Sequence, residues 1–174
     1  MTSRRHWMLA ACAALSASGC GYHVSGHADL LPKTIRTIAV PAFGNATVRY
    51  KLSDRLAQAI TREFLSRTRY RVIHNENEAD AILRGSVVNL MAFPTTFDTA
   101  TGRAAGVQVS VGLQLTLHER ATGKVLYQNP GMEVRERYEI SVDPVAYFEE
   151  SDTALDRLSI SVARAVVSAI LENF

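Results

Sequence analysis

The residue whose type and setting point most directly to chemistry is Cys20. It follows the small residues Ala17-Ser18-Gly19. Behind these lie an apolar run from Trp7 to Ala17 and two arginines, Arg4 and Arg5. A positive start, an apolar middle and small residues before a break describe a secretory signal, and a cysteine at the break describes a bacterial lipobox. Cleavage before Cys20 frees an amino group beside the thiol. A diacylglycerol on the sulfur and an acyl chain on the nitrogen then anchor the chain. The apolar run is too short to span a bilayer as a helix, which takes ~20 residues. Leu9-Ala10-Ala11-Cys12 also matches a lipobox, but cleavage there leaves almost no apolar core in the signal.

The remaining candidates are weaker. The only other cysteine, Cys12, is lost with the signal, so the mature chain has no thiol nucleophile and no disulfide framework. His23 and His27 stand four apart in the tether, where a metal site needs more ligands than the sequence supplies. His74 and His118 are lone histidines at strand ends. Asp98 and Asp143 lie in loops without a partner carboxylate at a useful spacing. No phosphate-binding glycine loop, serine elbow or zinc-helix motif occurs. The reading is of a protein that is not an enzyme and carries no cofactor beyond the lipids on Cys20. Arg103, the lone cation in a long stretch of small residues from 97 to 106, is the one candidate ligand-binding residue. An arginine there suits a phosphate held in bidentate fashion.

Charge excludes another class. Of 19 lysines and arginines, Arg4 and Arg5 leave with the signal, which balances the remainder against 17 acids. No basic stripe of the kind nucleic acid requires is present. The expected organisation is a cleaved signal over 1–19, a lipidated cysteine and short tether over 20–33, and a single α+β domain over 34–174. That length can bury a real core.

Positioning elements follow from periodicity. Thr34 to Val40 reads as a β-strand by its β-branched content. Leu52, Leu56, Ile60 and Phe64 repeat every four residues and mark an amphipathic helix over 52–67. Tyr70–Ile73 is a short strand, and Ala81–Leu90 a longer one with apolar residues on both faces, as in a central strand. Residues 93–106 form a long hairpin loop or a pair of extended strand tips. From Val107 to His118 apolar and polar residues alternate, so Gln108, Ser110 and Gln114 share the polar face of one long strand. A tight turn at Ala121–Lys124 leads to Val125–Tyr127, and the partner strand resumes at Met132–Tyr138. A helix from Ser151 or Asp152 to Asn173 closes the chain, with the acids Glu149, Glu150 and Asp152 at its start. Its main stripe is Leu155, Leu158, Val162, Ala165, Val166, Ala169 and Ile170. Ile160, Val167 and Leu171 form a second stripe roughly 140° away, which either packs on the first helix or meets a partner protein.

This order predicts a two-layer α+β sandwich. Two helices pack on one face of a mixed, mostly antiparallel sheet of four to five strands. The polar face with Gln108, Ser110 and Gln114 is left outward, a second candidate partner surface.

Several pieces together carry a resemblance. They are Cys20-Gly21-Tyr22-His23, Leu31-Pro32, the strand Ile35–Pro41, and Phe43-Gly44-Asn45-Ala46-Thr47 before a helix. Ala79-Asp80-Ala81-Ile82-Leu83-Arg84-Gly85, Thr122-Gly123-Lys124-Val125-Leu126-Tyr127 and a terminal helix near Phe148-Glu149-Glu150 complete the set. In order and spacing the chain resembles the outer-membrane lipopolysaccharide-assembly lipoprotein family, LptE, from the signal onward. The resemblance implies a lipoprotein that sits largely inside the lumen of a large outer-membrane β-barrel, LptD, as plug and assembly factor, and that can bind lipopolysaccharide. It implies a ligand-binding role for Arg103. The family's other basic contact, near the start of the last helix, has no counterpart here, where Glu149 and Glu150 stand. Gly21 after the cysteine fits export to the outer membrane.

Parts of the pattern also resemble outer-membrane lipoproteins that activate peptidoglycan synthases or build secretion pores. The peptidoglycan activators usually carry a long tether. Here only about a dozen residues separate Cys20 from the first strand, a reach of roughly 45 Å at most, which suits a partner in the same membrane.

Overall fold

The computed structural model describes residues 31–139 and 144–172. In chain order the elements are β1 (Thr37–Ala39), β2 (Gly44–Asn45), α1 (Lys51–Arg67) and β3 (Arg71–Ile73). A short 3-10 turn (Glu76–Glu78), β4 (Ala81–Phe97), β5 (Ala104–Glu119), β6 (Val125–Glu139) and α2 (Pro144–Glu172) follow. The strands form one six-stranded sheet in the order β3-β1-β4-β5-β6, with β2 also paired to β4. β1 runs parallel to β3 and β4, and β4-β5-β6 is an antiparallel meander. The two-layer α+β layout is as the sequence predicts. The sixth strand is β2, two residues long and paired with Ser86 and Val87. So short a strand carries no periodicity. It is held by the Asn45 side chain, which accepts from Thr47 N–H at 2.8 Å and donates to the Arg49 carbonyl at 2.8 Å.

The helical stripe of α1 is buried as its spacing requires. Leu52, Leu56, Ile60 and Phe64 all lie in the core with Leu83, Leu113, Leu115 and Leu117 from the sheet. α1 stops at Thr68, whose hydroxyl donates to the Phe64 carbonyl at 2.6 Å. α2 begins at Pro144, earlier than the capping residues Ser151 and Asp152 suggest. Proline fits the first helical turn, where its missing N–H has no partner to lose. The acidic run therefore lies inside the helix backbone rather than ahead of it, which corrects the reading of an N-cap there. The helices run parallel. Arg55 meets Asp156 at 2.7 Å, and Arg67 donates to Ser168 Oγ at 2.7 Å, both at a sequence offset of 101 residues.

Glycine matters at the centre of this packing. Gly85 pairs with Leu115, and any Cβ there would land on the Phe43 ring, which is itself buried.

Of the two readings of 93–106, the structure has extended strand tips. β4 runs on to Phe97 and β5 starts at Ala104. β6 is likewise continuous through Asn129-Pro130-Gly131. A bulge absorbs the extra residue between Leu113 and Leu115, and Pro130 is tolerated because β6 is an edge strand.

Candidate interaction surface

Both hairpins are closed by the same chemistry. Asp98-Thr-Ala-Thr101-Gly102-Arg103 ends the β4–β5 ribbon, and Glu119-Arg-Ala-Thr122-Gly123-Lys124 joins β5 to β6. In each, the acid's N–H donates to the basic residue's carbonyl at 2.8 Å, and the glycine N–H donates to the acid's carbonyl at 2.9 Å. Gly102 and Gly123 take φ of 67° and 71°, where a side chain would be strained. The acid's carboxylate accepts from the threonine hydroxyl in both turns. Three donors from Thr101 and Ala100 hold the Asp98 carboxyl below its ordinary range, the Thr101 hydroxyl first. The turn thus presents Arg103, exposed and with no hydrogen bond or ion pair to its guanidinium among the described residues.

On the sheet face away from the helices, three rungs lead toward that tip. Asn89, Gly112 and Glu133 form the first, Met91, Ser110 and Arg135 the second, and Phe93, Gln108 and Arg137 the third. Each rung runs from a β4 residue through a small or polar one to a charge on β6. Met91 and Phe93 are 46% and 50% exposed, and Phe97 beyond them 62%. The Glu133 carboxylate accepts from Arg135 at 3.0 Å through both oxygens, and from the Ser110 hydroxyl. These donors, Arg135 first, hold the Glu133 carboxyl below its ordinary range and raise the Arg135 guanidinium further. The opposite face of the ribbon is pinned by Tyr138, whose hydroxyl donates to the Ala154 carbonyl of α2 at 3.0 Å. Burial pushes that phenol up, with Glu136 adding to it.

The structure sorts the predicted residues. Cys20, and with it His23 and His27, lies outside the described residues. Arg103 is at the ribbon tip, Gln114 is exposed and Gln108 half-buried on the helix-free face. Ser110 shares that face but is buried, its hydroxyl spent on Glu133, so it is not a free contact residue. The second stripe of α2 divides. Val167 is 0% and Leu171 4% exposed, both inside the hydrophobic core, whereas Ile160 is 43% exposed. Val167 and Leu171 are therefore core residues and not a partner surface. The exposed apolar residues Met91, Phe93 and Phe97 and the β6 arginines escaped the sequence reading. A signal for the three apolar residues was there, since no charged residue lies between Arg84 and Asp98. Among the described residues no cluster of three His, Cys, Asp or Glu could hold a metal, and no helix is long and apolar enough to cross a membrane.

The fold is similar to three solved structures. A candidate lipoprotein from Caulobacter crescentus matches with a TM-score of 0.54 at 14% identity, covering 79% of this chain and 88% of that one. A dodecameric PelC variant from Paraburkholderia phytofirmans matches with a TM-score of 0.53 at 17% identity, covering 79% and 88%. Protein XCC0632 from Xanthomonas campestris matches with a TM-score of 0.51 at 13% identity, covering 80% and 86%. No curated protein sequence matches the chain. These likenesses define the class as a small two-layer α+β domain, one helical layer on a mixed sheet. The family model for lipopolysaccharide assembly, LptE, matches residues 35–170, and the chain belongs to that family.

Proposed function

We propose that this protein is an outer-membrane lipoprotein, anchored by lipids on Cys20, that plugs and assists the assembly of the lipopolysaccharide-translocating barrel LptD. In that role it takes part in moving lipopolysaccharide to the cell surface. The observation that carries the reading is the family match over 35–170, nearly the whole described domain. The surface supports it. A plug inside a water-filled lumen needs polar outer faces, and Gln108, Gln114 and Arg137 lie on the helix-free side of the sheet. Arg103 at the tip offers an exposed cation to the phosphates of lipopolysaccharide. No catalytic step is required.

Affinity purification from detergent-solubilised outer membrane tests the reading. Stoichiometric recovery of LptD is the expected result. Recovery of a peptidoglycan synthase, or of a ring of copies of this chain, overturns it.

A further inference from the structure

The two long edges of the sheet differ in a way the plug reading does not explain. β2 pairs with β4 only as far as Val87, and the last bond on that side runs from Ala46 N–H to the Val87 carbonyl at 2.9 Å. From Val88 on, β4 is bonded to β5 alone among the described residues. Val88–Phe93 is therefore a bare edge, with a row of backbone donors and acceptors facing outward. It carries no charge, and Val88, Met91 and Phe93 are exposed along it. Pro94, which has no N–H to donate, ends the usable stretch. The other edge, on β6, is guarded by Glu133, Arg135, Glu136, Arg137 and Glu139. Charged side chains are the usual protection of an edge against unwanted pairing, so one edge is protected and the other left open.

We propose that the edge Val88–Phe93 pairs with an extended, uncharged segment of the barrel partner, adding a strand to this sheet. The inference rests on the plug reading above. A second copy of this chain is the obvious competitor, and the anchor argues against it. Thr34 donates to Glu119 at 3.5 Å, so the chain enters the domain at the β5–β6 turn, the end of the ribbon remote from Arg103. Two copies joined through the same edge by a two-fold run antiparallel. Pairing centred near Met91 would set their anchored ends roughly 65 Å apart at ~3.3 Å per residue. Tethers of residues 20–30 reach ~40 Å each. Only a pair lying flat on the membrane satisfies both, and neither ribbon then enters a barrel. A closed barrel wall has no edge of its own to offer, so the paired segment comes from a loop folded into the lumen.

The test uses the full lipidated chain co-produced with LptD and purified from outer membrane. A benzophenone side chain replaces Met91 or Phe93 in one set and Glu133 or Arg137 in the other. The proposal expects adducts from the first set that map to one LptD segment, and slowed amide exchange at alternating residues of 88–93 in the complex. Met91→Lys with Phe93→Lys lowers LptD recovery about tenfold, equivalent to ~1.4 kcal/mol, with an unchanged melting temperature. LptD recovered without adducts at Met91 or Phe93 overturns the pairing and leaves the plug reading standing. Adducts to a second copy or to lipopolysaccharide also overturn it. Failure to recover LptD with the unmodified chain sinks both.

Discussion

The sheet has two halves built on opposite principles. In the half nearer the β5–β6 turn, Leu83, Leu115 and Leu117 are buried under α1 and α2. In the half toward Arg103, Met91, Phe93 and Phe97 are about half exposed, and order comes from the backbone ladder, the bulges and the Tyr138 bond to α2. The same strand, β4, serves both. Its first residues are central and its last are an edge. The buried core and the exposed apolar side chains are thus spatially separated, so substitutions in the two halves have effects of different kind.

The largest effect sharpens the division within α2. Val167→Asp puts a charge where no water reaches and leaves no cooperative transition, since an unpaired buried charge costs several kcal/mol. Ile160→Asp, on the exposed side of the same helix, changes stability by under about 0.5 kcal/mol. Chemical denaturation of both variants checks this. A folded Val167→Asp protein would mean that the stripe is a surface after all.

Across the sheet the same contrast is smaller. Leu117→Ala removes buried methyl groups and costs about 2–5 kcal/mol. Phe93→Ala, half exposed, costs under about 1 kcal/mol. Urea midpoints separate them, and equal losses would show that the ribbon is part of the same cooperative core. Gly85→Ala tests the close approach that joins the halves. The added methyl meets the Phe43 ring, and overpacking of this kind costs about 1–3 kcal/mol. Phe43→Leu in the same chain recovers part of that loss if the ring is the obstacle.

Asp80 clips the helix-covered half together. Its carboxylate accepts from Arg36 N–H and Thr37 N–H at 2.9 Å each and from the Thr37 hydroxyl at 2.8 Å. The Arg36 bond does most to lower its pKa below the ordinary 3.8, with Thr37 next and the Arg120 charge last. A carboxyl depressed in the folded state stabilises above its unfolded pKa and loses that contribution as pH falls through the folded value. Asp80→Asn is therefore less stable than the parent at neutral pH by about 1 kcal/mol. The gap closes as pH falls below about 4. A gap that stays constant with pH would assign the loss to geometry rather than charge.

Much of this division can be traced back to particular residues in the sequence. Leu52, Leu56, Ile60 and Phe64 placed α1 within a residue, because a four-residue apolar repeat has one physical solution. The alternation from Val107 to His118 placed β5 and its two faces. What failed was decided by tertiary contact. β2 owes its existence to Asn45 and to the strand beside it. Ser110 is on the predicted face yet buried, because Glu133 from a neighbouring strand lies over it. Val167 and Leu171 are 140° from the main stripe but still inside, because α2 is covered on two sides, by α1 and by the sheet. Cys20 was the clearest feature of the sequence, and it lies outside the described residues.

The smallest effect on stability is the one that speaks most directly to function. Arg103 and Lys124 occupy the same place in two equivalent turns at opposite ends of β5, about 50 Å apart along the strand. Neither side chain is needed to close its turn, since only backbone groups of the basic residue take part. Arg103→Ala and Lys124→Ala should each leave stability within about 0.5 kcal/mol of the parent. If the tip meets lipopolysaccharide phosphates, Arg103→Ala alone reduces the lipopolysaccharide that co-purifies with the lipoprotein. An equal fall with Lys124→Ala would show a general response to lost positive charge, and the tip would have no special claim. The pair thus asks whether two turns of identical chemistry differ only in where the fold puts them.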